Sequence, residues 1–369
     1  MRLPSIDILR GIVMVLMAID HVRVYSGVPA GGPSAGVFFT RWVTHFCAPV
    51  FVFLAGTSAF RLARKLDNRG VLARHLIARG LLLVLLELTV IRASWTFGVD
   101  YSQFILAGVI WMLGWCMVLM AALIWLPVWA IATIGVAVMA AQDLFLALPD
   151  GWLSQLIVRG GEIPLRPSGP TVSVLYTIVP WIGVMAAGYA FGAILLRDTA
   201  QRRRLCLRIG LGATALFVIL AGLQTFAGAP PDGGPPAIFR FLNQRKYPAS
   251  QLFLLMTLGP AIALLPFIER VRGPVSRLFE TFGRVPMFYY LLHIPVIHAV
   301  SLVVWRLRDR STHGDWFATA PYVGVAPELR WGLPLLYLVF AISIAILYPL
   351  SRWFAGVKSR RKEGWLRYI

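Results

Sequence analysis

Long apolar runs, each close to twenty residues, recur along the whole chain and are separated by polar segments. A helix of about 20 apolar residues crosses the hydrocarbon core of a bilayer, so each run is a candidate transmembrane helix. Leu126 and Pro127 mark the turn between the fourth and fifth runs. The pattern predicts an all-α polytopic membrane protein with about ten spans. We place them at residues 8–25, 42–60, 72–91, 103–121, 124–147, 171–195, 206–226, 250–268, 285–304 and 332–350.

The composition favours a helical membrane protein over two other classes. Apolar residues make up 58% of the 369 residues and charged residues 14%, and the mean hydropathy is +0.73. A soluble protein carries roughly a quarter charged residues, which argues against a soluble fold. A membrane β-barrel alternates apolar and polar residues in segments of about ten, and this chain does not show that alternation.

The formal net charge of +19 at first suggests a protein that binds nucleic acid. The basic residues, however, cluster in alternate segments between the apolar runs. Cytoplasmic loops of membrane proteins carry such an excess of Lys and Arg. We therefore exclude nucleic acid as a partner and predict that both termini face the cytoplasm. The expected location is the cytoplasmic (inner) membrane, and the lipid bilayer is the first expected partner.

The segments on the predicted outer side are longer and rich in Gly and Pro, at 26–41, 148–170, 227–249 and 305–331. Such segments can cap a membrane cavity but do not form a separate globular domain. We therefore predict one domain over residues 1–369. The three cysteines, Cys47, Cys116 and Cys206, lie in or beside apolar runs without CxxC spacing and are expected to be packing residues.

Ionisable residues inside the predicted spans are the main functional signal. Such residues are costly in a bilayer and normally face a cavity or a partner. They lie towards the outer ends of the first three spans and in the middle and outer part of the ninth, which places four of the six histidines at one membrane depth. These residues are Asp20, His21, Arg41, His45, Glu87, His293 and His298.

Histidine at this depth suits proton transfer, because its side chain binds and releases a proton near neutral pH. A carboxylate such as Asp20 or Glu87 behind a histidine would fix its tautomer and strengthen it as a base. Asp20 and His21 are adjacent and cannot both point the same way, so one of them can brace a neighbouring helix. The alternatives are histidines that only bridge helices, and an ion pair between Glu87 and Arg92.

A metal site is not expected. No two of these histidines have the i,i+4 spacing of a helix-borne HExxH motif, and the five-residue step from His293 to His298 is poor for chelation. The chain also has no Walker loop and no GxGxxG after a predicted strand, which argues against a soluble nucleotide fold.

Two stretches resemble the heparan-alpha-glucosaminide N-acetyltransferase catalytic-domain family. The first is Ser5–Ile6–Asp7–Ile8–Leu9–Arg10–Gly11, running on to Asp20–His21. The second is Arg41–Trp42–Val43–Thr44–His45–Phe46–Cys47–Ala48–Pro49. Later pieces are similar to its bacterial branch, including Phe241–Leu242–Asn243, Lys246–Tyr247–Pro248 and the stretch from Tyr290 to His293 and His298.

The resemblance implies a transmembrane acyltransferase that takes acetyl from cytoplasmic acetyl-CoA and places it on the amino group of a terminal glucosamine at the far side. The implied partners are an acyl-CoA donor and a sugar or glycan acceptor. The sequence leaves a homodimer open. The stretch that matches the family's catalytic loop, at 33–36, contains no histidine, and His45 falls where the eukaryotic pattern has an aspartate.

We therefore expect acyl transfer with His45, or His21 oriented by Asp20, as the general base, and with His293 and His298 orienting or protonating. Direct transfer of the acyl group and transfer through a covalent acyl-histidine are both compatible with the sequence. Expected substrate-binding residues are Arg41, Glu87, Asn243, Lys246 and Tyr247. The alternative is a proton-coupled transporter or flippase of a small anionic or lipid-linked solute, which would use the same residues as a relay.

Overall fold

The computed structural model describes residues 3–32, 34–227 and 234–361. Parts of the predicted outer segments 26–41 and 227–249, and the basic end of the chain at 362–369, lie outside the described residues. The α-helices are α1 (Pro4–Ser26), α2 (Ala35–Trp42), α3 (Cys47–Leu66), α4 (Arg69–Leu86), α5 (Arg92–Thr96), α6 (Val109–Leu123), α7 (Val128–Ala140), α8 (Trp152–Ser154), α9 (Trp181–Leu195), α10 (Thr199–Phe226), α11 (Ala237–Leu242), α12 (Gln251–Ile268), α13 (Pro274–Arg284), α14 (Pro286–Asp309) and α15 (Leu333–Arg360).

Shorter helical turns join several of these helices. They are the 3₁₀ turns Val43–Phe46, Gln142–Ala147, Gly314–Phe317 and Pro327–Leu329, and the π-helical turns Glu87–Ile91 and Gln155–Arg159. The turn Val43–Phe46 connects α2 to α3, and the turn Glu87–Ile91 connects α4 to α5. The first pair therefore runs as one helical segment, Ala35–Leu66.

The chain is mostly helical, as predicted, with 74% of its residues in helices. Three short strands form a small sheet, however, and two of them replace helix that the prediction placed at the starts of spans. Strand β1 (Phe104–Ala107) pairs in parallel with β3 (Thr171–Val174), and β2 (Gly161–Pro164) pairs antiparallel with β3. The sheet order is β1-β3-β2. The spans predicted at 103–121 and 171–195 therefore begin as strands and become helical only at α6 and α9.

Local sequence explains where these two helices begin. Gly108 stands immediately before α6, and Pro180 stands immediately before α9. Proline disfavours a helical conformation in the residue that precedes it, so α9 begins at Trp181. The β-branched residues Thr171, Val172 and Val174 suit a strand. A short apolar run alone does not distinguish a buried strand from a helix.

Five helical segments within the described ranges are long and apolar enough to cross a membrane. They are Ala35–Leu66, Thr199–Phe226, Gln251–Ile268, Pro286–Asp309 and Leu333–Arg360. Three shorter apolar helices, α6, α7 and α9, match further predicted spans. These helices indicate a multi-pass membrane protein. The count of about ten spans and the cytoplasmic position of both termini stay predictions.

The chain forms two compact units. The first consists of the described parts of Met1–Cys47, Val90–Asp100 and Phe267–Ile369, and it holds α1 against α13, α14 and α15. Two glycines let α1 and α13 approach backbone to backbone. A Cβ on Gly11 would lie 1.8 Å from the carbonyl oxygen of Phe279, and one on Gly283 would lie 1.8 Å from that of Asp7. Small residues allow such close approach between membrane helices.

The second unit consists of Ala48–Thr89 and Tyr101–Pro266. Glycines allow the same close approach of backbones between α4 and α6. A Cβ on Gly80 would lie 2.5 Å from the carbonyl oxygen of Gly114, and one on Gly114 would lie 2.4 Å from that of Gly80. The unit also contains the three-stranded sheet. The expectation of one domain over residues 1–369 stays a prediction.

Candidate active site

The C-terminal half of α1 carries a cluster of polar and aromatic side chains in the first unit. His21 and Tyr25 are four residues apart, so they share one face of the helix. That face meets α14, which contributes His293 and His298, and the segment 90–100, which contributes Trp95 and other aromatic side chains. The predicted gathering of histidines from the first and ninth spans is found here.

His21 and His293 are joined by a direct hydrogen bond. Nδ1 of His21 lies 2.7 Å from Nε2 of His293, and Nδ1 of His293 lies 2.6 Å from the carbonyl oxygen of Tyr290. A carbonyl oxygen can only accept, so Nδ1 of His293 carries a proton and donates it. In the neutral ring, Nε2 of His293 then accepts from the Nδ1–H of His21. With its proton on Nδ1, the neutral ring of His21 has no proton on Nε2.

Aromatic side chains hold both rings in place. The ring of Trp95 meets His21 edge-on, with centroids 4.9 Å apart, and the ring of Tyr289 stacks on His293 at 5.4 Å. The hydroxyl of Tyr289 donates to the carbonyl oxygen of Met14 on α1, 3.1 Å away. His293 is fully buried, whereas His21 is partly exposed. His21 is therefore the member of the pair that a substrate can reach.

His298 is held by a different set of contacts. Its ring stacks on Tyr25 at 4.6 Å and on Phe97 at 3.9 Å, and its Nδ1 lies 3.3 Å from the carbonyl oxygen of Ser94. By the same argument as for His293, Nδ1 of His298 donates to that carbonyl. His293 and His298 thus occupy two distinct positions on α14, as their five-residue spacing predicts.

Asp20 forms ion pairs with two arginines. Nε of Arg23 lies 3.0 Å from one carboxylate oxygen, and a terminal guanidinium nitrogen of Arg41 lies 2.6 Å from the other. Arg41 also donates to the hydroxyl of Thr44 at 3.0 Å. Asp20 therefore connects α1 to α2, and the hydrogen bond that orients His21 comes from His293. This geometry favours a bracing role for Asp20 and Arg41 over base orientation and substrate binding.

His45 lies in the 3₁₀ turn Val43–Phe46 and its side chain is buried. The turn belongs to the same unit as α1 and follows directly on α2. A role for His45 as the base stays a prediction.

Glu87 has a clear structural role in the second unit. One of its carboxylate oxygens accepts from the backbone N–H groups of Ile110 at 2.9 Å and Trp111 at 3.3 Å, in the first turn of α6. These N–H groups have no partner within the helix, and a carboxylate is favoured at a helix N-terminus. A Cβ on Gly108 would lie 2.4 Å from the carboxylate, so a larger residue there would push the carboxylate aside.

Arg92 makes its hydrogen bonds within the segment 90–100. One guanidinium nitrogen donates to the hydroxyl of Thr96 at 2.6 Å, and another donates to the carbonyl oxygen of Asp100 at 2.9 Å. The ion pair between Glu87 and Arg92 that the sequence left open stays a prediction.

The remaining predicted substrate-binding residues lie in the second unit. Asn243 is exposed at the end of α11. Lys246 is buried, and its Nζ lies 5.1 Å from the ring centroid of Tyr247, within the range of a cation–π contact. The hydroxyl of Tyr247 lies 3.3 Å from that of Tyr176. The structure groups Lys246 with Tyr247, and substrate binding by these residues stays a prediction.

Sequence reasoning missed several residues of the site. Tyr25 could have been found, since it lies one helical turn after His21. Trp95 and Phe97 carried no signal, because their position depends on the π-helical turn that precedes α5. No group of three or more His, Cys, Asp or Glu residues placed to hold a metal ion occurs at residues 3–32, 34–227 or 234–361.

Residues 2–226 match the family described as heparan-alpha-glucosaminide N-acetyltransferase, catalytic, which is more than half of the chain. The chain belongs to this family. The resemblance inferred from residues 5–11, 20–21 and 41–49 is thereby confirmed, and membership in the acetyltransferase family indicates a transmembrane acetyltransferase. His21 and His45 lie inside the matched range, and His293 and His298 lie beyond it. No curated protein matches the chain.

Proposed function

We propose that the chain transfers an acetyl group from cytoplasmic acetyl-CoA to the amino group of a sugar at the outer face of the cytoplasmic (inner) membrane. The observation that carries this proposal is the hydrogen-bonded series from His21 through His293 to the carbonyl oxygen of Tyr290. The series supports Nε2 of His21, on the more accessible of the two rings, as the proton acceptor. His21 is then the general base, and His293 is its positioning residue.

The reaction replaces a carbon–sulfur bond with a carbon–nitrogen bond and moves one proton from nitrogen to sulfur. The amine nitrogen of the acceptor attacks the thioester carbonyl carbon, and the carbon–sulfur bond breaks as the thiolate of CoA leaves. Nε2 of His21 takes the proton that the amine loses and returns it to the departing thiolate. General base catalysis of this kind contributes roughly 10²–10⁴-fold to a rate. Positioning of donor and acceptor contributes a further large share.

Basic residues could help to hold the donor. The predicted cytoplasmic segments carry much of the excess of 35 Lys and Arg over 16 Asp and Glu. Clustered cations attract the phosphates of acyl-CoA. The acceptor would approach from the opposite face, where Lys246 and Tyr247 are predicted to lie.

The test uses purified protein reconstituted in liposomes, radiolabelled acetyl-CoA and glucosamine as the acceptor. We expect labelled N-acetylglucosamine and an equal amount of free CoA. The variant His21→Gln should lose about 100-fold or more of kcat while binding acetyl-CoA as the wild type does in calorimetry.

His313→Asn is the matched control, because it removes a histidine outside the site. His313 has a φ of 48°, and asparagine tolerates this left-handed conformation. The control should keep wild-type activity. Loss of activity in His45→Gln but not in His21→Gln would move the base to His45. If monodisperse wild-type protein transfers no acetyl group, that result contradicts the proposal and favours the transporter hypothesis.

A further inference from the structure

Phe97 has an unusual backbone conformation for its residue type. It ends α5 with a φ of 49° and a ψ of 28°, in the left-handed region. Bulky residues such as phenylalanine rarely adopt this conformation, whereas glycine and asparagine adopt it much more easily. Strain of this kind persists only where surrounding contacts enforce it, and it concentrates at functional sites.

The contacts that enforce the strain come from a buried arginine. Arg92 donates to the hydroxyl of Thr96 and to the carbonyl oxygen of Asp100, on the two sides of Phe97. The backbone N–H of Gly98 donates to the same hydroxyl at 3.2 Å. Arg92 thus fixes the turn from both ends and sets the direction of the Phe97 side chain.

That direction places the Phe97 ring on His298. The two rings are 3.9 Å apart and within 19° of parallel, and Tyr25 stacks on the same imidazole at 4.6 Å and 24°. Two rings cannot share one face of an imidazole at these separations, so they cover opposite faces. The result is a stack in the order Tyr25, His298, Phe97. Tyr25, at one end of the stack, is buried, and Phe97, at the other end, is 49% exposed.

The stack is next to the proposed base. Trp95 contacts His21 edge-on at 4.9 Å and also stacks on Tyr25 at 5.8 Å. The hydroxyl of Tyr25 donates to the carbonyl oxygen of Trp95 at 2.7 Å. One short segment, 94–97, therefore supports both the base and the exposed ring.

We infer that the exposed face of Phe97 is the platform on which the sugar ring of the acceptor stacks, so that Phe97 determines acceptor specificity. This inference rests on the proposed function. The face of an aromatic ring carries partial negative charge and attracts the slightly positive C–H groups of a sugar ring. A rigid platform places the acceptor with little loss of conformational freedom, which explains why a strained backbone is retained there.

The test compares three variants at one position in reconstituted protein. Phe97→Leu keeps apolar bulk without the aromatic face, and it should raise the KM for glucosamine by roughly three- to tenfold. The KM for acetyl-CoA should not change. Phe97→Trp keeps an aromatic face and should stay close to wild type. Phe97→Gly removes the strain and should fold, yet it should show the same loss as the leucine variant.

Phe39→Leu is the matched control. Phe39 is also an exposed phenylalanine of the same unit, 39% exposed, but it lies within the regular helix α2. Its replacement should leave the KM for glucosamine unchanged. Equal effects of the two leucine variants would mean that both rings only anchor the protein at the membrane interface, which would overturn the inference.

A binding measurement without acetyl-CoA separates this inference from the proposed function. Saturation-transfer NMR with chitobiose, a glucosamine-terminated disaccharide, should show ring-proton contacts in the wild type that Phe97→Leu weakens. Sugar binding without any acetyl transfer would contradict the proposed reaction and leave the platform standing. Wild-type protein that binds no chitobiose, or a leucine variant that binds it equally well, would overturn the platform.

Discussion

Nδ1 of His21 on α1 lies 2.7 Å from Nε2 of His293 on α14, and the carbonyl oxygen of Tyr290 fixes the far end of this series. When both rings are neutral, a histidine that donates to another histidine has a defined tautomer, and so has its partner. His293 then serves the base in the way that a carboxylate serves a catalytic histidine, without placing a negative charge in the bilayer.

The first prediction concerns the acceptor atom that His293 provides. His293→Phe keeps an aromatic ring of similar size but has no acceptor for His21, so kcat should fall by roughly tenfold or more. His293→Gln can place an amide oxygen near the position of Nε2, and it should recover part of that loss. Steady-state kinetics should show the effect in kcat, with the KM for acetyl-CoA unchanged. Equal activity of the two variants would show that His293 only packs.

The second prediction concerns the ion pair between Asp20 and Arg41, whose side chains are mostly buried. Removing one partner leaves the other charge without its nearest counterion, so Asp20→Ala should destabilise the protein by about 2 kcal/mol or more. Thermal unfolding in detergent measures this, together with Arg41→Ala and the double variant. Because the residues share one interaction, the double variant should lose less than the two single losses combined.

The pair of Glu280 and Arg284 on α13, in which the arginine is about half exposed, is the control for that cycle. Pairs of this kind contribute at most about 1 kcal/mol, so Glu280→Ala should hardly change the unfolding temperature. A loss as large as that of Asp20→Ala would contradict the distinction between the two pairs.

Sequence reasoning identified the helices and the convergence of α1 with α14, because span length and the positions of His21 and His293 in their spans carry that information. It could not assign the partners of Asp20. A carboxylate next to a histidine in sequence points about 100° away from it around a helix. Asp20 therefore reaches Arg23, one turn later, and Arg41 on α2.

The strands were missed for a different physical reason. Residues 104–107 and 171–174 are apolar enough to extend the helical runs that follow them, and an apolar run alone does not reveal its backbone conformation. The position of Phe97 was also hidden, since it depends on three hydrogen bonds around a turn that no periodicity encodes. Close approach at Gly11 and Gly283 likewise depends on which helices pack together.

The third prediction separates a structural role of Glu87 from a role in substrate binding. Glu87→Ala leaves two backbone N–H groups of α6 without their acceptor, which should cost about 1–3 kcal/mol for each buried group. Glu87→Gln keeps an acceptor oxygen and should be far milder. Thermal unfolding and acetyl transfer should be measured on both variants. If Glu87→Gln is stable but has lost acetyl transfer, that result contradicts a purely structural role. It would show that acetyl transfer needs the carboxylate charge.

The fourth prediction tests the close packing of α1 on α13. A Cβ at Gly283 would lie 1.8 Å from the carbonyl oxygen of Asp7, and backbone cannot move aside as a flexible side chain can. Gly283→Ala should therefore destabilise the protein by about 1–3 kcal/mol or more. Gly212→Ala on α10 is the control, since its Cβ would meet nothing within 4 Å. Because alanine is the better helix former by about 1 kcal/mol, the control should be neutral or stabilising. Similar unfolding temperatures for the two variants would mean that α1 and α13 do not pack this closely.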